Sequence, residues 1–343
     1  AMAARIVDAF GLDSLEIMDR DPQRLLEIRG IGRATLAKVQ ASWEKHRGIQ
    51  QIMVFLTGHG IAPGVAVKAY GKYGAAAVDI VREDPFRLAE DVFGVGFRTA
   101  DRIAQRIGIP ADSPQRLRAG LLFTLSEASV EGHVFLPRSR LLEDASALLE
   151  IDRTLVEPVL DQLQQRQSVA AVVRPADETA IFTLRLEAAE SAVAGHIRSL
   201  MGDGAANDAI DVDQAVGWYE RKTSIELARN QRTAISAALN GRVLVVTGGP
   251  GTGKTTLVRG ITQIFAERKQ KVLLAAPTGR AAKRLAQATG CDAKTIHRLL
   301  EFNPRGRSFT RDRENPLAAD VLVVDEVSML DIELAAHLLE AVP

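Results

Sequence analysis

Apolar positions along this chain follow two different patterns, and the change from one to the other divides it. Up to residue 200 they recur mostly three and four places apart, the spacing of amphipathic helices. Leu117, Leu121, Leu125 and Ala128 form such a stripe behind Ser113 and Pro114, a Ser cap with Pro at the first helical position. Two more helices are expected over 139–149 and 152–165, after breaks at Gly132 and Pro137. Two β-rich runs, 168–173 and 180–184, then read as a hairpin, so this middle part is expected to be a small winged-helix-like domain. The hairpin holds few basic residues, which favours a spacer over a nucleic-acid-binding wing. A connecting helix (187–200) leads to the polar, Gly-rich stretch 202–209, the clearest linker in the chain.

Beyond residue 225 the pattern changes. Val243, Leu244, Val245 and Val246 are apolar without alternation, as is most of 271–276 and of 319–324. Such runs belong to strands buried on both faces of a parallel sheet. Helical stripes separate them, at 225–239, at Val258, Ile261, Ile264 and Phe265, and at 281–288. The predicted fold is therefore multidomain. An α-helical array (1–108) is followed by the winged-helix-like domain (109–186) and by the connecting helix and linker (187–224). An α/β domain (225–343) with a short hairpin insert at 302–316 completes it.

Three glycine turns punctuate the first region: Arg29-Gly30-Ile31-Gly32, Thr57-Gly58-His59-Gly60 and Phe93-Gly94-Val95-Gly96. They lie about 30 residues apart, a real internal repetition. Each is expected to follow a short helical stretch (22–28, 49–56, 85–90) and to open another helix. Leu36 and Val39, or Ala100 and Ile103, stand four and seven places past the second glycine; Gly64 and Val67 make the second copy a weaker match. This is the helix-hairpin-helix pattern, in which the turn frees N–H groups at a helix N-terminus to hold a DNA backbone phosphate without reading bases. Gly30, Gly32, Gly94 and Gly96 are candidate DNA contacts on this reading, whereas His59 replaces a small residue in the second turn. Ala3, Ile6, Val7 and Phe10 look like the tail of a further copy whose glycines would precede residue 1. The hairpins could equally do no more than pack: residues 1–108 hold 15 Lys and Arg against 13 Asp and Glu, too even a balance to decide for DNA.

The run at 243–246 breaks into Gly248-Gly-Pro-Gly-Thr-Gly253-Lys254-Thr255-Thr256, a G-x-x-x-x-G-K-T loop between an expected strand and helix. Its backbone N–H groups can curl around phosphate oxygens, which assigns Gly249, Pro250, Gly251, Thr252, Gly253 and Thr256 to the nucleotide cradle. Lys254 supplies a charge for the β- and γ-phosphates, and the Thr255 hydroxyl a ligand for Mg²⁺. The third run ends in Asp325-Glu326, so Asp325 would hold Mg²⁺ and Glu326 would position or deprotonate the attacking water. Gln231 precedes Gly248 by 17 residues, where its amide could pair with both edges of adenine. ATP hydrolysis with Lys254, Asp325 and Glu326 as catalytic residues is the expected chemistry.

Composition narrows this only a little. Lys plus Arg and Asp plus Glu number 43 each in 343 residues, so no global field draws in nucleic acid and any contact must be local. The single cysteine, Cys291, excludes an internal disulfide and fits a reducing cytoplasm. No apolar run approaches the ~20 residues of a membrane span. The start, AMAARIVDAF, reads as a helix already under way rather than a signal peptide.

Taken together, Leu227-Ala228-Arg229-Asn230-Gln231, GGPGTGKTT, APTGRAAKRLAQATG, Thr295-Ile296-His297-Arg298-Leu299-Leu300 and VLVVDEVSML resemble the RecD-like helicases of superfamily 1. The glycine-turn array in front resembles that family's longer bacterial branch. The resemblance implies a RecA-like motor domain using ATP and Mg²⁺, with Gln231 against adenine. It implies 5′→3′ unwinding in DNA repair or recombination, and sequence-independent contact with single strands and single/double-strand junctions. Pro277, Thr278, Gly279, Arg280, Thr295 and His297 would touch the strand, although a histidine such as His297 is by itself more often structural. The insert at 302–316, with Arg305 and Arg307 at its turn, would be the hairpin that parts the duplex. The family's upstream domain, later motifs and second motor domain lie outside these 343 residues. The chain by itself is thus expected to bind ATP–Mg²⁺ and DNA but to hydrolyse weakly. Two other classes remain open at this point: a DNA-binding scaffold that ATP merely switches, and a P-loop ATPase acting on protein. No protein partner can be named.

Overall fold

The computed structural model describes residues 2–59, 62–175, 178–202, 211–249 and 251–343. The expected linker, apart from Gly202, therefore lies outside the described residues, as do Ala176 and Asp177 at the hairpin tip, Gly60 and Pro250.

Residues 1–127 with 137–166 form one compact unit. It opens with α1 (Met2–Phe10), α2 (Ser14–Arg20), a 3₁₀ turn over Pro22–Glu27 and the 26-residue α3 (Arg33–Gly58). Next come α4 (Pro63–Tyr73), α5 (Ala77–Glu83), α6 (Arg87–Asp91) and α7 (Phe97–Arg106). The true internal repeat is a pair of halves rather than three copies. Phe10-Gly11 returns as Tyr73-Gly74, Asp21-Pro22 as Asp84-Pro85, and Arg24-Leu25 as Arg87-Leu88, each 63 residues on. Geometry follows: Gly11 and Gly74 have φ of 56° and 59°. The Arg24 guanidinium lies 5.2 Å from the Phe10 ring centroid and Arg87 5.6 Å from that of Tyr73. Leu25 and Leu88 are both fully buried. Helix α1 is thus the counterpart of α4. Burial and a 2.9 Å hydrogen bond to Asp91 push the Tyr73 phenol well above its usual range.

The second glycine turn departs from expectation. Its leading helix is not a separate segment; 49–56 belongs to α3, whose last residue is Gly58. Ile52 and Leu56 on that half of α3 are fully buried with Ala66 and Ala69 of α4, and this packing carries the helix past the expected break.

Helix α8 (Pro114–Val130), β1 (Leu136–Pro137), α9 (Arg138–Leu149), α10 (Arg153–Gln165), β2 (Val169–Val173) and β3 (Thr179–Thr183) follow in the order of a winged helix. The strands form a β1-β3-β2 sheet in which β2 and β3 pair antiparallel, as the sequence predicts. Asp152 caps α10 by accepting from Thr154 N at 2.8 Å.

Residues 128–136 with 167–343 form the second unit. Its helices are α11 (Leu184–Met201), α12 (Val212–Thr223), α13 (Arg229–Asn240), α14 (Lys254–Glu267), α15 (Gly279–Thr289), α16 (Ile296–Leu299) and α17 (Ile332–Glu340). The expected connecting helix is α11, and it packs along α17, with Arg185 Nε 3.0 Å from Glu333 Oε1. Strands β4 (Val272–Ala276), β5 (Ala293–Thr295) and β8 (Val321–Val324) make a parallel sheet ordered β5-β4-β8, while β6 (Phe302–Asn303) and β7 (Ser308–Phe309) form the hairpin of the insert. Val272 and Val321 face the core of α12, α13 and α14; their neighbours Leu273 and Leu322 face Leu299, Leu334 and Leu338 of α16 and α17. A sheet covered on both faces explains why these strands read as unbroken apolar runs.

The run at 243–246 does not become a strand. It carries no regular structure, and Val245 is 79 % exposed. A strand exists only where its N–H and C=O groups find a ladder, and among the described residues the sheet hydrogen-bonds no fourth partner.

Candidate nucleotide and nucleic-acid site

The loop after residue 247 is built around left-handed glycines, Gly251 (φ 77°) and Gly253 (φ 79°), the latter starting α14. Lys254, the first residue of α14, folds back so that Nζ donates to Gly248 O and, at 2.9 Å, to Gly249 O. Thr252 Oγ1 donates to Gly249 O at 2.9 Å. Gly251, Thr252, Lys254 and Thr255 are exposed and Thr256 is half-buried, so the loop's face is open to solvent. Pro250 lies outside the described residues.

Gln231 reaches this loop. Its Oε1 accepts from Ala228 N at 3.0 Å, and its Nε2 approaches Gly253 O at 3.5 Å. Starting α13 at Arg229, four residues later than the sequence suggests, sets this position on the first helical turn. A Cβ on Gly253 would stand 2.5 Å from that amide nitrogen, so a side chain there would push the Gln231 amide aside besides straining a φ of 79°.

The parallel register places three other motifs at one edge. Ala276 pairs with Thr295, and Ala275 with Val324, so the ends of β4, β5 and β8 are level. Asp325 N donates to Ala275 O at 3.0 Å, and Asp325 Oδ1 accepts from Glu326 N at 2.9 Å. Glu326 adopts φ 56° and stands 3.8 Å from Arg284 of α15. Thr278 caps α15 by accepting from Ala281 N at 3.2 Å, and Thr295 caps α16 by accepting from Arg298 N at 3.3 Å. Those hydroxyls are thus already engaged; Gly279, Arg280 and His297 are exposed, and Pro277 is half-buried. Arg305 and Arg307 are exposed at the hairpin turn, whose tip is fixed by Asn303 Oδ1 accepting from Arg305 N at 3.0 Å.

A hydroxyl at Thr255 and a carboxylate at Asp325 are oxygen donors suited to a hard cation such as Mg²⁺. No cluster of three or more His, Cys, Asp or Glu occurs among the described residues, so such an ion would draw its other ligands from phosphate and water.

In the first unit, the first and third glycine turns are near-copies. Gly30 and Gly94 have φ of 89° and 78°; Gly32 and Gly96 are extended at φ −94° and −92° and precede α3 and α7, with no side chain capping either helix. Ile31 N and Val95 N each close the turn at 3.0 Å onto Ile28 O and Val92 O. Each turn also has a cation against its positive-φ glycine. Arg5 Nη2 lies 2.8 Å, and Lys68 Nζ 3.0 Å, from where a Cβ on Gly30 or Gly94 would stand; Lys68 donates to Phe93 O at 3.1 Å. Arg5 and Lys68 are equivalent under the 63-residue shift, a signal present in the sequence but visible only with the longer repeat. The second turn lacks this geometry. Gly58 has no positive φ, and His59 is engaged, Nδ1 with Phe55 O at 2.7 Å and O with the Arg106 guanidinium.

Comparison with known proteins decides the family. The description "ATP-dependent RecD2 DNA helicase HHH domain" matches residues 45–135, and "AAA domain" matches 231–343. The whole chain aligns with the ATP-dependent RecD2 DNA helicase of Deinococcus radiodurans at 36% identity, covering 48% of that protein. The chain belongs to the RecD-like helicases of superfamily 1. A third of it aligns with the RecBCD enzyme subunit RecD of Mycobacterium tuberculosis at 43% identity, covering 23% of that subunit. A third also aligns with the ATP-dependent DNA helicase PIF3 of Trypanosoma brucei brucei at 34%, covering 14%. The chain thus spans about half the length of its Deinococcus relative. The helical array with its glycine turns precedes the parallel α/β domain, the order in which the two family descriptions match. No helix among the described residues is long and apolar enough to cross a membrane.

Proposed function

We propose that this chain is the part of an ATP-dependent DNA helicase that binds ATP–Mg²⁺ and grips DNA, working 5′→3′ on single strands and junctions without reading sequence. One observation carries the reading: the ends of β4, β5 and β8 are level, so Pro277–Arg280, Thr295–His297 and Asp325–Glu326 share one edge of the sheet. In this assignment Gln231 holds adenine, and the 249–256 backbone cradles phosphate. Lys254 turns its ammonium from the Gly248 and Gly249 carbonyls to the β- and γ-phosphates. Thr255 and Asp325 would hold Mg²⁺, which when bound neutralises charge developing on the phosphates. Glu326 takes a proton from water as its oxygen attacks the γ-phosphorus and the bond to the bridging oxygen breaks. Gly279, Arg280 and the Thr295–His297 turn hold the strand's backbone, and Arg305 and Arg307 meet the duplex. The turns at Gly30–Gly32 and Gly94–Gly96, with Arg5 and Lys68 beside them, hold backbone phosphate, and the winged-helix-like middle is a spacer. The domain bounds proposed are 1–108, 109–186, 187–224 and 225–343, in a cytoplasmic protein of DNA repair or recombination.

The test is ATP hydrolysis by the 343-residue chain with and without single-stranded DNA, with Lys254→Ala as the blank. Nucleotide binding that Lys254→Ala weakens by about ten- to one-hundred-fold, with turnover stimulated by DNA, supports the reading. Turnover indifferent to DNA would instead favour an ATPase acting on protein.

A further inference from the structure

The hairpin insert carries more than arginines. Its two phenylalanines, Phe302 and Phe309, are directly paired across β6 and β7, their centroids 5.1 Å apart. His297 of α16 meets both, edge-on to Phe302 at 5.5 Å and tilted against Phe309 at 5.8 Å. On the far side His337 of α17 lies 4.8 Å from Phe309. Four rings, two from the hairpin strands and one from each of α16 and α17, thus run as one continuous strip. Phe309 is half-buried against the core of α16 and α17 and anchors the strip. Phe302 is 37 % exposed, and both histidines are exposed. Phe302, His297 and His337 each keep part of their surface in solvent. The exposed Arg298 follows His297 in the chain, the exposed Arg305 and Arg307 lie in the turn between the two phenylalanines and the exposed Arg313 follows it, while His297 belongs to the turn leaving β5 at the level edge of the sheet.

We propose that this strip is a base-stacking platform for single-stranded nucleic acid, with Phe302 the ring on which a base lies and the surrounding arginines holding the flanking phosphates. It rests on the DNA reading above and adds to it Phe302, Phe309 and His337, and the base as the group recognised. Flat apolar rings next to guanidinium groups match a strand that offers π-faces and phosphates alternately, and stacking on a ring tolerates any base. The edge-on imidazole of His297 holds the Phe302 ring in place. Phe302 is a positioning contact rather than a catalytic group.

The experiment compares binding of the full chain to an oligothymidylate of about 15 nucleotides and to an abasic oligomer of equal length. The native chain is expected to favour the base-bearing strand by about five- to one-hundred-fold. Phe302→Ala should erase that preference while leaving the abasic affinity unchanged, and Phe302→Trp should restore it, its indole fluorescence quenched by the strand. Equal binding of both strands by the native chain overturns the platform and leaves the DNA reading standing. So does a preference that Phe302→Ala leaves intact. Failure to bind either strand overturns both.

Discussion

Arg284 Nη1 lies 3.8 Å from Glu326 Oε1, joining the helix that begins at Gly279 and Arg280 to the acid that ends the third strand segment. The arginine is 72% exposed, so the pair contributes little to stability, about 0–1 kcal/mol. Its consequence is positional. In the proposed mechanism Glu326 must face water, and Arg284 holds it from a helix whose first turn touches DNA. Arg284→Ala should raise ATP turnover in the absence of DNA and bring the ratio of DNA-stimulated to basal rate close to one. The melting temperature should be unchanged. A ratio equal to that of the native chain would show that the two residues do not couple the sites.

Lys254→Ala should cost ATP affinity about ten- to one-hundred-fold, the worth of a charge-assisted hydrogen bond to phosphate. The side chain is exposed and bonds only to its own loop's carbonyls among the contacts observed, so thermal unfolding should barely move. Titration with a fluorescent ATP analogue measures the first, and calorimetry the second.

Alanine at the glycines of the first turn should separate fold from contact. Gly30→Ala forces a side chain into φ 89° and against Arg5, which should destabilise the unit by about 1–2 kcal/mol. Gly32→Ala places its methyl group in open space at an extended φ that any residue adopts. It should leave the melting temperature unchanged yet weaken DNA binding, because the methyl group stands where a phosphate would approach the N-terminus of α3. If Gly32→Ala, Arg5→Ala and Lys68→Ala all bind duplex DNA as tightly as the native chain, the turns only pack.

Asp101 and Arg116 form a largely buried ion pair at 2.6 Å, with side chains 14% and 8% exposed. Arg116 also donates to Ala111 O at 2.8 Å and Leu149 O at 3.1 Å, tying α7, α8 and α9 together. Asp101→Ala leaves the guanidinium buried without its carboxylate and should cost about 3–5 kcal/mol. Denaturant unfolding should show this loss, while ATP affinity stays as it was.

Much of this was legible in the chain itself. The glycine loop, the paired acids and the capped helix start at Asp152 depend on neighbouring residues, so local chemistry specifies them; α8 likewise starts at Pro114, although the expected Ser113 cap is not made, its Oγ having no hydrogen-bond partner among the described residues. In the insert, Pro304 and Gly306 are turn-forming residues between β6 and β7, again a local signal. Local sequence did not decide partners. Val243, Leu244, Val245 and Val246 satisfy every local condition for a buried strand, yet a strand is a relation between segments, and among the described residues no ladder meets them. Residues 49–56 read as a separate helix, but packing of Ile52 and Leu56 against α4 carries α3 through. The sequence already marked the second glycine turn as the weaker match, by His59, Gly64 and Val67; the backbone angles show that its first glycine does not share the positive φ of Gly30 and Gly94. Arg5 beside Gly30, Lys68 beside Gly94, Arg284 beside Glu326 and His337 beside Phe309 lie 25, 26, 42 and 28 positions apart in the chain. The candidate chemistry can be read along the chain, because glycine loops, caps and apolar periods act over a few residues. Tertiary structure alone decided which of those groups meet, because pairing across the chain depends on how whole elements pack.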